Sequence, residues 1–438
     1  MTETGHQHGP ADRAATPVAA AAAVVCYYHE PVKAPLLRDA VLPAIDAAGR
    51  EHPDVSAQLE RHWRHGPHLR VQLTGEAASV DRAANRMAQS LRDHLAIHPS
   101  TVDLSSETLL ARSEVAGQAE LVPPPYTPIH PDNTVRIEQV DDGYLLDLLE
   151  STEAVRCRAA LLRLGLPTVA ATLARLGAAG DTASARVWLT VAAMSAHAGQ
   201  YPLGLGDGHQ SFFSHLEEFL LHSDPEGTLR ARYQRQWERH GDAVTEAVAR
   251  VAGGGAADPA EDAWLTWTRS ARTLTEPLFD QGHLPPVPGA GYLARARDMG
   301  DDSTSLRWDP QRRTAYSDYH QLLQQIDFSR VRHQREFVVY RFATNVLYLL
   351  LTICDVTPVE RYLAAYLMSR AAERLTGITW RERLTGYLAI LAAEAREAAE
   401  AREAAEAREA AEAREAAEAR DGNHDRGDGA IIGQGAQS

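Results

Sequence analysis

The chain has 438 residues, of which 44% are hydrophobic and 6% aromatic, and its formal net charge is −15. This negative charge argues against a nucleic-acid partner, because phosphate binding requires a basic surface. Lys33 is the only lysine in the sequence. A phosphate-binding loop of the Walker type or a pyridoxal Schiff base is therefore excluded unless Lys33 supplies it.

The composition also bears on where the protein works. No uninterrupted apolar run approaches the ~20 residues that cross a bilayer, and the polar start lacks a secretory signal pattern. Cys26, Cys157 and Cys354 are far apart and lack the spacing of a cysteine zinc site. We therefore expect no membrane association, no disulfide framework and a location in the reducing cytoplasm.

The first third of the chain predicts a small sheet with flanking helices, after a flexible start at residues 1–20. The expected elements are a strand at 24–29, a helix ending at Gly49, a strand at 68–73, a helix at 78–95 and a strand at 134–140. Residues 99–131 look loop-rich. This order is compatible with a ferredoxin-like sheet over residues 21–140, and predicts an α+β fold.

Residues 141–393 show a mainly helical pattern, and we assign them to the same domain as the sheet (21–393). Within them, GLGDG at 204–208 is interpreted as a turn. The hexapeptide EAREAA then occurs four times in succession from Glu394. A period of six does not keep one apolar stripe on a helix, so we expect a solvated helix at 394–420 and a disordered tail at 421–438.

Three groups of polar residues are candidates for chemistry. His62, His65 and His68 recur at every third residue, but Gly66-Pro67 breaks any helix that would align them. No cysteine or carboxylate completes a metal site there, and we predict neither a metal nor a cofactor.

The second group is Ser214, His215, Glu218 and His222, of which the last three share one helical face at i, i+3, i+7. Ser214 to Glu217 fits a capping box, which would place His215 in the first helical turn. There the positive end of the helix dipole lowers the pKa of an imidazole and favours its neutral form. A structural cap, a catalytic or substrate contact and a metal ligand are the alternatives.

The third group is Tyr316, Ser317, Asp318, Tyr319 and His320. It fits either the start of an amphipathic helix capped by Ser317 or a site that handles protons. The residue types do not decide between these two interpretations.

Three segments carry a resemblance to a known superfamily. Gly66-Pro67-His68-Leu69-Arg70, followed by a strand and a glycine, resembles a motif of the C-terminal, elimination-type domain of lantibiotic dehydratases. Residues 211–220 and 344–362 resemble helices of the stand-alone thiopeptide members. The resemblance spans roughly residues 24–390 and implies a ferredoxin-like lobe followed by a helical lobe, with a precursor peptide as partner and a homodimer left open.

One departure selects a reaction within this superfamily. Glutamate-eliminating members carry a late His-Met-x-x-Asn-Arg helix, whereas RFATNVLYLLL and ERYLAAYLMSRAAERL contain no histidine. The resemblance therefore implies a thiopeptide pyridine synthase, which joins two dehydroalanines by a formal aza-[4+2] cycloaddition and then expels water and the leader peptide. A glutamate-eliminating lyase and a non-catalytic leader-binding subunit are the alternatives.

The roles implied for single residues follow from this reaction. Protons are expected to be transferred by Tyr319 and His215, while the peptide amide is hydrogen-bonded by Ser317 and Tyr316. Contacts to the substrate or leader are expected from His68, Arg70, Ser214 and Glu218.

Overall fold

A computed structural model describes residues 19–141, 143–284, 290–300, 302–309, 311–326 and 335–424. Residues 1–18 of the expected flexible start and 425–438 of the expected tail lie outside the described residues.

The sheet consists of four strands, which are β1 (Ala19–Tyr27), β2 (Ser56–His62), β3 (His68–Glu76) and β4 (Thr134–Gln139). They are antiparallel and lie in the order β2-β3-β1-β4. Together with the helices between them they form a βαββαβ arrangement, which confirms the ferredoxin-like lobe and the α+β fold.

Strand β2 is absent from the sequence-based prediction because two of its buried side chains are polar. Gln58 Nε2 donates to Gln72 Oε1 on β3 at 2.8 Å, and the carboxylate of Glu60 binds Arg158. These partners satisfy polar groups that would otherwise be costly to bury. The usual alternation of apolar and polar residues is therefore lost in the segment SAQLERH.

Helices cover the sheet and fill the connection to β4. They are α1 (Ala34–Leu36), which continues through a π-helical segment (Leu37–Val41) into α2 (Leu42–Glu51), then α3 (Ala77–Ile97) and α4 (Ser106–Glu120). The expected helices near 36–48 and 78–95 are confirmed, but α4 lies in the region expected to be a loop. Ser105 caps α4 by accepting from the backbone N–H of Thr108 at 3.1 Å.

The described residues from Gly143 to Thr376 are mainly helical, as expected. In chain order these helices are α5 (Gly143–Leu149), α6 (Thr152–Leu164), α7 (Leu166–Ala178), α8 (Ala183–Gly199), α9 (Leu205–Gly208), α10 (Gln210–Ser223), α11 (Thr228–Ala252), α12 (Pro259–Asp280), α13 (Ala290–Asp298), α14 (Asp302–Trp308), α15 (Asp318–Leu323), α16 (Arg335–Ile353) and α17 (Pro358–Thr376). The predicted turn at 204–208 is wrong for its last four residues, since Leu205–Gly208 form α9, and Gly204 precedes it with a φ of 80°.

The junction of the two lobes is built on Asp355, directly after α16. Its carboxylate accepts from the backbone N–H groups of Lys33 and Ala34, at 2.8 and 2.7 Å, and from Arg61 on β2. The Lys33 ammonium donates to the carbonyls of Tyr28 and Glu30, and the side chain is only 1% exposed. The single lysine of the sequence is therefore part of the structural junction.

Two segments, Thr152–Ala178 and Arg335–Ile353, are long and apolar enough to cross a membrane by length and composition. The second is α16, and 61% of it is buried inside the fold. The first is divided at Gly165 into α6 and α7. Packing in the protein core accounts for their apolar character.

A second compact unit contains residues 322–326 and the chain from Thr379 onward. Its main element is α18 (Trp380–His424), which begins well before Glu394, so the repeat continues a longer helix. Thr379 Oγ1 accepts from the backbone N–H of Glu382 at 3.3 Å and so caps this helix. Every side chain from Glu394 to Ala416 is exposed, as expected for a solvated helix.

Candidate active site

The candidate site is the polar face of α10. Phe212, Leu216 and Leu220 bury one side of this helix in the core. The neighbouring face carries Ser211, Ser214, His215 and Glu218, which follow the i, i+3, i+4, i+7 spacing of one helical stripe. Side chains from the α15 region, α16 and α17 meet this stripe or its partners.

His320 is the centre of one set of contacts. Its Nε2 lies 3.1 Å from Ser214 Oγ, and its Nδ1 lies 2.8 Å from Ser317 Oγ. Ser317 also accepts from the His320 backbone N–H at 3.3 Å and so caps α15, as expected. Burial lowers the pKa of His320 to about 4, although the nearby Glu218 carboxylate opposes this shift. At neutral pH the ring is uncharged, with one nitrogen donating and the other accepting.

Glu218 extends the site through Arg313. The Arg313 guanidinium donates to Glu218 Oε2, and its carbon lies 4.5 Å from the centre of the Tyr316 ring. The same carboxylate lies 3.7 Å from Arg307 Nε and 3.2 Å from His222 Nε2. The structure therefore brings four of the predicted residues together around Arg313 and His320, namely Ser214, Glu218, Tyr316 and Ser317.

His215 belongs to a second set of contacts on the same face. Its Nδ1 lies 2.9 Å from Tyr348 Oη, and its Nε2 lies 3.0 Å from Arg341 Nη1. Burial, followed by the charges of Arg341 and Arg361, holds the pKa of His215 well below its usual range. The neutral imidazole expected from the sequence is supported, but for a different physical reason.

The predicted capping box at Ser214–Glu217 is wrong. Helix α10 begins at Gln210, so His215 lies in the second turn, away from the helix end. Ser214 contacts His320 instead of capping the helix, and Glu217 forms an ion pair with Arg230 at 2.9 Å. The helix dipole therefore contributes little to the pKa of His215, because its effect fades beyond the first turn.

Two arginines give this part of the site a positive charge. Arg341 Nη1 lies 3.3 Å from Ser211 Oγ, in addition to its contact with His215. The Arg361 guanidinium carbon lies 4.6 Å from the centre of the Tyr348 ring and 5.0 Å from that of Tyr362. Within the described part of the chain neither arginine forms an ion pair with a carboxylate, and the Nε atom of each is buried without a partner.

Tyr319 is buried, whereas its predicted role in proton transfer requires contact with the substrate. It is 3% exposed, its ring packs edge-on against Phe213 at 5.1 Å, and its hydroxyl donates to the carbonyl of Gln210 at 3.5 Å. This burial does not favour direct contact with a peptide. It is consistent with the buried stripe of an amphipathic helix, the other interpretation of this segment.

His68 and Arg70 lie on β3. Arg70 Nη1 is 3.6 Å from Glu60 Oε2, and Arg158 binds the other oxygen of that carboxylate. His68 is 6% exposed, and its Nδ1 contacts the carbonyl of Gly66 at 2.9 Å. The two residues are therefore placed in the sheet lobe, while the other predicted residues lie on or beside α10.

The backbone conformation explains why a glycine occupies the first position of the Gly66–Arg70 motif. Gly66 has φ of 110°, in a region that L side chains rarely adopt. A Cβ atom at this position would lie 3.2 Å from His29 Nε2. The motif therefore shapes the connection from β2 to β3, which supports a scaffold role for it.

Among the described residues, no three or more His, Cys, Asp or Glu side chains are grouped as a metal ion requires. The described cysteines Cys26, Cys157 and Cys354 are all buried free thiols.

Comparison with solved structures identifies the fold. The pyridine synthase TbtD from thiomuracin biosynthesis matches with a TM-score of 0.61 and 22% sequence identity, covering 82% of this chain and 99% of that chain. This chain has the fold of TbtD. TsrL matches with a TM-score of 0.56 and 18% identity, covering 84% of this chain and 98% of its own.

The remaining comparisons do not extend this assignment of the fold. The tRNA-dependent lantibiotic dehydratase MibB from Microbispora sp. 107891 gives a TM-score of 0.41 at 15% identity, over 85% of this chain and 29% of that chain. The sequence matches no protein-family model and no curated protein sequence. The likeness to thiopeptide enzymes predicted from three sequence segments is thus confirmed at the level of the fold.

Three residues of the site had no role in the sequence-based prediction, namely Arg341, Tyr348 and Arg361, and His320 entered it only as a member of the group at 316–320. Arg341 and Tyr348 are separated by two helical turns on α16 and both reach His215. The available signal was an arginine inside a long apolar helix, because such a charge needs a polar partner when buried. The identity of that partner depends on tertiary packing.

Proposed function

We propose that this protein forms the central pyridine of a thiopeptide. It would join two dehydroalanines of a leader-bearing, azole-containing peptide by a formal aza-[4+2] cycloaddition, and then expel water and the leader. The observation that carries the proposal is a pair of neutral, hydroxyl-bound imidazoles, His215 and His320, on a fold shared with TbtD. Beside them lie Arg341 and Arg361, which form no ion pair with a carboxylate among the described residues.

The first requirement of this reaction is to bring two distant parts of one chain together. The amide beside one dehydroalanine must become an imidic acid, so that a 2-azadiene can meet the other dehydroalanine. Well-oriented reactants recover roughly 7–11 kcal/mol of barrier in this way. In the proposal, Ser317 and Tyr316 hydrogen-bond the reacting amide, while Arg70 and His68, which contact Glu60 and the Gly66 carbonyl, have a scaffold role in the sheet lobe.

The second requirement is proton transfer. The imidic acid needs a proton moved from nitrogen to oxygen, and each later elimination removes a proton from a ring carbon. A positioned base or acid contributes about 10²–10⁴-fold to such steps. An imidazole whose pKa is depressed to about 4 stays unprotonated at neutral pH, so His320 is available as a base between Ser214 and Ser317.

The proposal assigns a modified precursor peptide as the partner and the cytoplasm as the location. Helices α16 and α17 contain no histidine, which is why cyclisation is preferred here over glutamate elimination. We assign the leader contact to Ser214, to Glu218 and to Arg313, which binds Glu218.

Mass spectrometry of the purified protein with a synthetic peptide tests the proposal. The peptide carries the leader, azoles and two dehydroalanines, and a matched peptide has one dehydroalanine replaced by alanine. We expect the first to lose one water and the leader, and the second to stay unchanged. Release of glutamate from a glutamylated precursor would instead indicate elimination, and unchanged masses throughout would reduce the function to leader binding.

A further inference from the structure

We infer that Tyr348 donates the proton with which the ring hydroxyl departs as water, and that His215 and Arg341 position Tyr348 for this step. The inference rests on the proposed function and assigns a group to one step of it. The residues concerned are half-buried on α10 and α16, so they line the site without being sealed in the core.

The direction of the hydrogen bonds follows from Arg341. A guanidinium can only donate, so Arg341 Nη1 must donate to His215 Nε2 across their 3.0 Å contact. The neutral imidazole then carries its hydrogen on Nδ1. This Nδ1–H donates to Tyr348 Oη at 2.9 Å, and the tyrosine oxygen acts as the acceptor.

This arrangement of hydrogen bonds determines where the phenol hydrogen of Tyr348 points. Because its oxygen accepts from His215, the phenol hydrogen points away from the imidazole. Among the described residues no acceptor takes this hydrogen, so it is available to a bound peptide. The Thr352 hydroxyl one turn further along α16 uses the backbone carbonyl of Tyr348, not its side chain.

The surroundings suit a group that releases its proton only during the reaction. Burial raises the pKa of Tyr348, while the charges of Arg361 and Arg341 oppose that shift. The free enzyme therefore keeps the phenol protonated. When the proton leaves, the tyrosinate gains the His215 Nδ1–H bond and the Arg361 guanidinium 4.6 Å from the ring centre.

The step balances without an added reagent. In the cycloadduct, the carbon that was the amide carbonyl carbon holds a hydroxyl group. The phenol O–H bond breaks, the proton joins that hydroxyl, and the C–O bond breaks to release water. A base removes a proton from a ring carbon as the new C=N and C=C bonds form, and that proton restores the phenol.

Tyr348→Phe tests this assignment in the synthetic-peptide assay. The substitution keeps the ring under Arg361 and removes only the hydroxyl. We expect kcat to fall about 10²-fold or more with little change in KM, since the lost group acts as an acid. A cyclised species with the substrate's own mass but a different retention time should accumulate, because cycloaddition alone changes no mass.

The matched control is Tyr366→Phe, which removes a tyrosine hydroxyl that contacts Gln234 on α11 at 2.6 Å, away from the site. It should convert the peptide at the wild-type rate. If Tyr348→Phe also converts at the wild-type rate, the inference is wrong while the proposed function stands. If the wild-type protein converts no peptide, the proposed function itself fails.

His215 provides a second measurement, in case Tyr348→Phe does not fold. The amide N–H of Asn occupies roughly the position of Nδ1–H, whereas Gln occupies that of Nε2. His215→Asn should therefore keep a donor to Tyr348 and retain more kcat than His215→Gln. Equal losses in the two variants would contradict the positioning role.

Discussion

At the scale of single residues, burial is the largest cause of the lowered pKa of both histidines near the α10 face, but their neighbours differ. His215 also lies against Arg341 and within range of Arg361, so a proton on its ring would face like charges. His320 lies between two hydroxyls, and burial is the main cause of its lowered pKa. His320 is thereby kept as an unprotonated base at neutral pH, whereas the neutral His215 serves as the hydrogen-bond donor to Tyr348.

A residue-scale prediction separates His320 from its neighbour in sequence. His320→Phe should lower the rate of peptide conversion about 10²-fold, because a positioned base is lost. Tyr319→Phe should convert the peptide at a near wild-type rate and lose about 0.5–1.5 kcal/mol of unfolding free energy, because its buried hydroxyl loses one hydrogen bond. Rates from the synthetic-peptide assay and urea unfolding of both variants provide the measurements.

The result that would contradict this assignment is a large loss of rate in a folded Tyr319→Phe variant. Such a loss would support the proton-transfer role predicted from the sequence. The sequence could place both residues in one polar cluster, but it could not show which side of α15 faces Phe213 and which faces Ser214.

At the scale of elements, sequence periodicity was informative where packing is apolar. The helix at α3 and the strand at β3 follow their hydrophobic patterns closely. Strand β2 was missed because Gln58 and Glu60 are buried with polar partners from other parts of the chain. Such pairs form only in the tertiary fold, so no local sequence pattern predicts them.

Helix α9 gives an element-scale prediction, because its last residue touches the backbone of α8. A Cβ atom at Gly208 would lie 2.3 Å from the carbonyl oxygen of Ala198, and the Gly208 carbonyl accepts from Tyr340 Oη at 2.8 Å. Gly208→Ala should therefore displace α9 and lower the unfolding free energy by about 1–3 kcal/mol. Peptide conversion should fall too, since α10 begins two residues later.

The same chemical change at Gly49 is the control. Gly49 lies in α2, and an added Cβ would meet nothing within 4 Å. Gly49→Ala should raise the unfolding free energy by about 0.5–1 kcal/mol through its effect on the unfolded chain. Thermal and urea unfolding compare the two variants, and equal effects at both sites would contradict the close approach of α9 and α8.

At the scale of the whole molecule, the net charge is negative although the candidate site is rich in arginine. The chain carries −15, which argues against a nucleic-acid partner, yet Arg307, Arg313, Arg341 and Arg361 approach one face of α10 or its partners. These arginines come from different segments. Composition could exclude classes of partner, but the local positive charge depends on how the helices pack.

The whole-molecule prediction concerns stability in acid. The pKa values of His62, His197 and His320 are lowered from 6.5 to about 4, mainly by burial. The unfolded chain therefore binds more protons than the folded protein between these two values. Stability should be full above pH 6.5 and fall as the pH drops towards 4, by up to about 1.4 kcal/mol per pH unit for each histidine.

His197 allows one contribution to be isolated, because it is 3% exposed and its ring stacks on Tyr340 at 4.2 Å. His197→Phe keeps this stacking but loses the 3.0 Å hydrogen bond to Thr344 Oγ1, which should cost about 1 kcal/mol at pH 7. Urea unfolding at pH 7, 6 and 5 should then show a shallower loss of stability in the variant, by up to about 1.4 kcal/mol per pH unit. His62 and His320 still titrate, so the remaining slope should not vanish. Parallel curves for the two proteins would show that His197 is not held neutral by burial.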